Sequence, residues 1–505
     1  MPADRLSSWL LALLITALAF VIRFVNLARP SKPAFDETYY AKDAYALLTS
    51  GFERNWPESA NTSIVAGNPD VMQGTASFIV HPPVGKWLIA GGEHLFGMNS
   101  FGWRFASLVF GTLLVLVTIR LVRRVSRSTL VGCLAGVLLT FDGLAFVLSR
   151  TALLDIFLAF FLVAGVACLA ADRDWFRNRL ASHLETRGLR DLGGRFGPAL
   201  VVRPWRLAAG VCFGLALGTK WNALYVIAAF ALLSLAWDVG ARRLAGADRR
   251  AAWAVLLDGL PAFVSLVVVS VLVYVSTWAG WLATSGGYHR GWGAANPDAA
   301  SVRLLGRPLG SLLHYNIEMY RFHTGDFINK ATHSYAAEPA GWLILARPIG
   351  IDVVNGIKPG TDGCPGPDDC LRVIIGIGTP ALWWAAAAAL VFALLLWVGA
   401  RDWRFGIPVV GALSAWLPWF SYTDRPLFFF YAIAILPFSV MALSLCLGRL
   451  LGAATAGDRR MFGAVLAGAY VALVVANFGY LYPVLTDELL TRPQWLARMW
   501  FRSWI

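Results

Sequence analysis

The sequence predicts an all-α polytopic membrane protein, one catalytic-sized unit over residues 1–505 with about eleven membrane-crossing helices and two long outer loops. Three observations carry this. The chain is 58% hydrophobic and 14% charged, with a mean hydropathy of +0.61. Uncharged runs recur from end to end, and one of them, TPALWWAAAAALVFALLLWVGA at 379–400, crosses ~30 Å of hydrocarbon at ~1.5 Å per residue. The basic residues cluster between these runs. A net charge of +13 would draw nucleic acid to a soluble protein, but arginines confined to the connections read as positive-inside loops, so no nucleic-acid partner is expected. The 22 Trp and 14 Tyr suit both interfacial anchoring and a sugar-binding cleft.

The expected spans are 9–27, 101–121, 129–148, 152–171, 207–219, 221–238, 253–277, 379–399, 406–420, 427–448 and 461–481. The first has no small-x-small cleavage site before Arg29 and Pro30, so it reads as a retained span and not a signal peptide. The connections after alternate spans carry Arg123, Arg124 and Arg127, then Arg173 through Arg206, Arg242 through Arg250, Arg401 and Arg404, and Arg449 through Arg460. All fall on one side, which is therefore cytoplasmic. The N-terminus is then inside and the C-terminus outside, in a multi-pass protein of the plasma membrane. The count depends on a break at GTKWN, 218–222; a single span over 207–238 would spoil the alternation. All six lysines (Lys32, Lys42, Lys86, Lys220, Lys330, Lys358) lie on or near the opposite side.

The outer loops are about 28–100 and about 278–378, and both mix Trp, His, Tyr, Arg and acids. No internal repeat is visible, which weakens a transporter reading. In CPGPDDC, Cys364 and Cys370 enclose a tight turn on the oxidising side and form a disulfide candidate; two cysteines supply half a zinc site, and no metal is expected.

Ionisable residues at span ends cost ~2.5–3.5 kcal/mol each if buried unpaired in hydrocarbon. Arg104, Asp142 (close to Arg150), Asp155 and Lys220 all map to the outer level, beside the adjacent acids Asp36 and Glu37. Singly, each reads as an interfacial charge or a structural ion pair; together they point to a water-accessible cavity. Its mixed charge suits a phosphate-linked lipid carrying a sugar, with the tail left in the bilayer. HPPVGKW adds His81 and Lys86 around a rigid Pro-Pro turn, where Lys86 either snorkels or binds, and THSYAAEPAGWLILARPIG adds His333 and Arg347. In PAFDETYYAKDAYALL, Asp36 is placed to cap a helix and Glu37 to complement its dipole, yet the same pair is placed to do chemistry. No Gly-rich phosphate loop, HExxH or G-x-S-x-G occurs, and no cofactor is expected.

FDETYYAKDA, HPPVGKWLIA, WRFASLVFG, FDGLAFVLSRTALLDIFL, GLALGTKWNAL, HYNIEMYRFHTG, HSYAAEPAGWLILARP and YTDRPLFFFYAIAILPF, in this order, resemble the bacterial (actinobacterial) protein O-mannosyltransferases of the membrane-embedded GT-C glycosyltransferase class. The resemblance implies inverting transfer of mannose from polyprenyl-phosphate-mannose to Ser or Thr hydroxyls of secreted or membrane proteins, during Sec-dependent export. Eukaryotic members carry a sugar-recognition domain in the large outer loop, and the loop 278–378 is too short for one. It places the family's acidic pair on Asp36 and Glu37 and its arginine on Arg104. It also places a loop histidine and arginine on His333 and Arg347. With Asp36 as base and Glu37 positioning it through Arg104, the donor side would draw on Arg104, His81, Lys86, Asp155, Lys220, His333 and Arg347. The competing readings are a transferase of the same fold that modifies a lipid or polysaccharide, and a lipid or solute transporter using the same cavity. Reporter fusions after Arg250 and at Gly366 should read cytoplasmic and external respectively; the reverse pattern would remove the site from the outer face.

Overall fold

The computed structural model describes residues 4–452 and 457–505. Among these, seven helices are long and apolar enough to cross a membrane: Arg5–Phe24, Ser100–Ser126, Asp155–Thr186, Ala223–Ala247, Val255–Thr277, Pro380–Val398 and Gly457–Leu485. Thr129–Thr140, Pro204–Leu217 and Leu436–Leu451 are shorter apolar helices, and Trp403–Trp416 runs on into a 3-10 turn over Leu417–Ser421. Each expected span has a helical counterpart, but several are broken or displaced. The third splits into Thr129–Thr140 and Gly143–Leu148, because Asp142 leaves the helix and accepts a hydrogen bond from Ala145 N (2.8 Å) as an N-cap. The tenth begins as a 3-10 helix, Phe429–Ala434. GTKWN does separate two helices, Pro204–Leu217 and Ala223–Arg242.

Asp155–Thr186 has 32 residues, about 48 Å of helix, which exceeds the ~30 Å of hydrocarbon. It packs between Ser100–Ser126 and Pro204–Leu217. Small residues permit the close approach of these helices, as expected where lipid supplies no hydrophobic drive. A Cβ on Gly165 would lie 2.4 Å from the Phe213 ring, and one on Gly210 would lie 1.9 Å from Ser265 O. Leu14, Leu232, Leu256 and Val398 remain more than half exposed, on faces suited to acyl chains.

At the arginine-rich end, Arg203 and Arg206 share Asp172 and Asp238 in a buried cluster. Arg203 reaches Asp172 at 2.5 Å and Asp238 at 2.8 Å, and Arg206 reaches Asp238 at 2.6 Å. At the other end lie the helices Glu37–Ser50, Val84–Phe96 and Ala300–Thr324 and a small antiparallel sheet. The sheet runs β1 (Ile349–Ile357), β2 (Cys370–Gly376), β3 (Leu489–Thr491), in that order. It is a local departure from the all-α expectation. In β2 only Arg372 is not buried, so the strand shows no period-two alternation to betray it. Cys364 and Cys370 are joined by a disulfide at the β1–β2 connection.

Removing one acid from the buried cluster leaves two guanidiniums facing one carboxylate. Asp238→Ala should cost about 3–5 kcal/mol, read as an earlier melting transition of the detergent-purified protein. Arg243→Ala, at an exposed position nearby, should leave the transition in place.

Candidate functional site

Asp36 does not cap its helix. Its backbone is already helical (φ −69°, ψ −7°) and its side chain makes no cap hydrogen bond, because Phe35, at φ 50°, turns the chain one residue earlier than the sequence implies. It is Glu37 that binds local backbone. Its Oε1 accepts from Arg104 Nε (2.7 Å) and Ala152 N (2.9 Å), and its Oε2 from Arg104 Nη2 (2.7 Å) and Ala34 N (2.8 Å). Arg104 spends its other N–H groups on Leu27 O (3.2 Å), Pro30 O (2.8 Å) and Lys32 O (3.2 Å). Both side chains are fully buried. Four bonds to the carboxylate and five from the guanidinium exhaust the hydrogen-bonding capacity of the pair. Glu37 and Arg104 therefore act as a clamp that fixes the segment leading to Asp36.

Asp36 itself is half-buried and makes no ion pair among the described residues. Burial pushes its carboxyl up to about 6, with Asp155 adding to the rise, against the opposing pull of Lys220 and the Tyr40 hydroxyl. Asp155 begins its helix, and Lys220 sits in the break after Pro204–Leu217; their side chains meet at 2.7 Å. Lys220 Nζ also stands 5.0 Å from the Tyr431 ring.

Beside this group opens a cavity of about 310 Å³, lined by His81, Lys220, Trp221, His323, Arg425 and Tyr431 among others. The His81 and His323 rings stack at 5.3 Å. His323 Nε2 bonds Val80 O at 2.6 Å and its Nδ1 lies 3.2 Å from Arg425 Nη1. The carbonyl requires the proton on Nε2, so Nδ1 accepts from Arg425. Burial first, then the nearby cations, holds His81 well below its ordinary value, so it is a neutral hydrogen-bonding group at neutral pH. Two buried polar atoms on the wall, Arg425 Nε and Asn222 Oδ1, have no hydrogen-bond partner among the described residues. Arg425 also borders a second hollow of about 390 Å³, which His333 and Asp424 line.

Of the predicted residues, Lys220 and His81 line this cavity, Asp155 pairs with Lys220, Asp36 lies near enough to feel both of their charges, and His333 lies at the neighbouring hollow. Others do not reach it. Lys86 is buried, paired with Glu53 at 2.8 Å and Asp43 at 3.3 Å, and so neither snorkels nor faces a ligand. Arg347 ties its loop to the end of the chain, donating to Ser503 O (2.5 Å), Ile505 O (2.8 Å) and Ser334 O (2.8 Å). Asp142 and Arg150 are not partners. Asp142 accepts from Thr379 N and Trp383 Nε1, whereas Arg150 donates to the carbonyls of Arg23, Val25 and Asn26. Arg425, His323, Trp221 and Tyr431 were not singled out by the sequence reading. Each lies within or beside a quoted motif (YTDRPLFFFY, YRFHTG, GTKWN), and a cation in so apolar a stretch as that around Arg425 was the available signal.

Two family models match the chain. The first, described as dolichyl-phosphate-mannose-protein mannosyltransferase, covers residues 13–183, and the second, the C-terminal four-transmembrane region of protein-O-mannosyltransferase, covers residues 308–504. A polyprenol-phosphate-mannose–protein mannosyltransferase of Mycobacterium tuberculosis is 40% identical over 100% of this chain and 93% of its own length. One of the same name from Corynebacterium glutamicum is 33% identical over 97% and 92%. Among solved structures, the Saccharomyces cerevisiae protein O-mannosyltransferase Pmt1–Pmt2 complex bound to the sugar donor superposes with a TM-score of 0.73 at 13% identity, over 99% of this chain and 93% of that one. ArnT from Cupriavidus metallidurans bound to undecaprenyl phosphate gives 0.51 at 16% identity, over 99% and 72%. These likenesses make the fold that of the GT-C glycosyltransferases.

The clamp can be tested without an activity assay. Arg104→Ala should cost about 3–5 kcal/mol, because it strands a buried carboxylate, and Arg104→Lys should recover little of it, since an ammonium cannot reproduce the fork. An unchanged melting transition in both variants would mean that Arg104 does not hold the loop.

Proposed function

The chain belongs to the polyprenol-phosphate-mannose–protein mannosyltransferases, and from that premise we propose that Asp36 is the general base for transfer of mannose from polyprenyl-phosphate-mannose to Ser or Thr hydroxyls of exported proteins. The protein is a multi-pass membrane glycosyltransferase; the plasma membrane, the cytoplasmic N-terminus and an outward-facing site are part of the proposal, as is the whole chain acting as one catalytic unit. The observation that carries it is the isolation of Asp36. The other acids of the group are committed, Glu37 to Arg104 and Asp155 to Lys220, and Asp36 alone is free to take a proton.

In this reading the acceptor hydroxyl gives its proton to Asp36 as its oxygen attacks the anomeric carbon. The bond from that carbon to the phosphate oxygen breaks on the opposite face, which inverts the centre and leaves polyprenyl phosphate. The phosphate gains one negative charge as it leaves and needs cations, not an acid. Arg425, with its unpartnered Nε, and Lys220 are placed on the cavity wall to receive it, and neutral His81 can donate a hydrogen bond. Trp221 and Tyr431 offer faces to a sugar ring. The hollow that Arg425 also borders, lined by His333, is the place this reading gives to the exported polypeptide. No step in this scheme calls on a metal or an organic cofactor.

Radiolabelled mannosyl phospholipid with a Ser/Thr-containing peptide tests the activity. Label on the peptide supports the reading, label only on lipid or polysaccharide favours a different acceptor class, and movement of intact lipid without transfer favours a transporter. Asp36→Asn removes the base and costs no cap bond, so it should fold and bind donor normally while transfer falls by ~10²–10⁴. Because the carboxyl is raised to about 6, it is protonated below that pH; the wild-type rate should fall about tenfold per pH unit on the acid side of 6 and level off above it. A rate that stays flat from pH 7 to 5, or full transfer by Asp36→Asn, would remove Asp36 from the role.

A further inference from the structure

Outside the cavity, one cluster brings together side chains that the proposed reaction does not use. His314 and Glu318 stand four residues apart on the helix Ala300–Thr324, and so share one face of it. His289 reaches them from the turn before the short helix Trp292–Ala295. His289 Nδ1 lies 2.9 Å from Glu318 Oε2, and His314 Nε2 lies 3.6 Å from Glu318 Oε1. The three ligand atoms all fall within 4.8 Å of one another. We propose that His289, His314 and Glu318 form a binding site for a divalent transition metal of the zinc class.

Three features support this over a plain ion pair. Zinc bonds of ~2.0–2.2 Å in tetrahedral geometry set ligand atoms ~3.3–3.5 Å apart, and the imidazole contacts with the Glu318 carboxylate, one to each oxygen, lie just below and just above that value. Glu318 Oε2 is buried and, despite the 2.9 Å approach, has no partner in hydrogen-bond geometry among the described residues, so the contact is not a formed hydrogen bond. Both imidazoles are held by flat stacking. Tyr288 lies on His289 at 4.2 Å and 10°, and Trp292 on His314 at 4.0 Å and 6°. His289 is kept in place at φ 51°, a conformation that costs a non-glycine residue energy. Two imidazoles and one carboxylate are the ligand set for a borderline divalent ion, with a fourth position open to water at the exposed edge near His289.

The metal would join the 288–292 turn to the helix that carries Tyr315 and His323. Tyr315 accepts a hydrogen bond from Ile79 N at 3.0 Å, next to the His81 turn, and His323 lines the cavity nine residues, about 13 Å, beyond His314. Its role is to stiffen this helix, and it stands apart from the transfer chemistry.

Chelator-stripped, detergent-purified full-length protein titrated with Zn²⁺ at neutral pH should bind one equivalent and melt at a higher temperature as zinc is added. Glu318→Gln and His314→Gln should each weaken binding by at least the ~10–100-fold that loss of a mere supporting partner costs, and should abolish the zinc-dependent rise in melting temperature. His323→Gln should leave binding unchanged, which separates this cluster from the His81–His323 pair. His289→Gln, at an exposed position, gives the same readout if either helix variant fails to fold. Absence of saturable binding, or zinc affinity equal to wild type in the Glu318 and His289 variants, would overturn the proposal and leave an ion pair.

Discussion

In the buried Glu37–Arg104 pair every hydrogen-bonding position of both charged groups is filled, and this pair is where charge burial organises the most structure. The carboxylate accepts from two backbone N–H groups as well as from the guanidinium, and the guanidinium donates to three carbonyls as well as to the carboxylate. One pair therefore joins four pieces of chain: the segment after the first helix, the start of Glu37–Ser50, the start of Ser100–Ser126 and the turn at Ala152. Through Ala152 the constraint extends three residues to Asp155, and through Asp155 to Lys220 in the break between two helices. The geometry around Asp36 follows from a pair that does not itself face the cavity.

At the arginine-rich end Arg203 and Arg206 are likewise buried against Asp172 and Asp238, with only Arg206 Nη1 of this cluster left without a partner among the described residues. Buried charge by itself therefore does not distinguish a working site from a structural one. Incomplete pairing on a cavity wall does. Among the described residues Arg425 Nε lacks an acceptor and Asn222 Oδ1 lacks a donor, both on one cavity wall, and Asp36, which feels the charge of Lys220 on the same wall, has no cation of its own. A buried unsatisfied polar atom costs about 1–3 kcal/mol, a cost a fold retains where a ligand later fills the position.

Hydropathy made the spans legible because lipid demands long apolar runs, and GTKWN was legible as a break because the one-sided placement of the arginine-rich connections requires one there. The link between Glu37 and Arg104 was also foreseeable, since an arginine at a helix start beside an unpaired acid leaves few alternatives. Legibility ended where pairing is non-local. Lys86 looks like a snorkelling residue in HPPVGKW, and nothing near it in sequence announces Glu53, 33 residues away, as its partner. Arg347 looked like a phosphate ligand because its partners are backbone oxygens at the chain end, which carry no side-chain signature. Arg425 and His323 were missed for the converse reason, since TDRP and FHTG read as ordinary loop punctuation until folding sets them against one cavity. The strand β2 escaped notice because burial on both faces erases alternation.

The pairing hierarchy also bears on why a carboxylate can serve as base so close to a lysine. An unshared ammonium beside Asp36 would lower its pKa, as Lys220 already tends to do, and a carboxylate held low is a poor proton acceptor. Asp155 counters this twice. It occupies Lys220 at 2.7 Å, and its own negative charge raises Asp36 further. Burial supplies the largest upward push, and the balance leaves Asp36 near 6, ionised at neutral pH yet more basic than an ordinary aspartate. In the proposed reaction this places Asp155 as a positioning residue. It fixes Lys220 at the cavity wall, where the ammonium can still donate its other N–H groups to the departing phosphate, and it keeps the lysine's charge from quenching the base. The site needs both cation and base within one small cavity, and the third carboxylate is what lets them coexist.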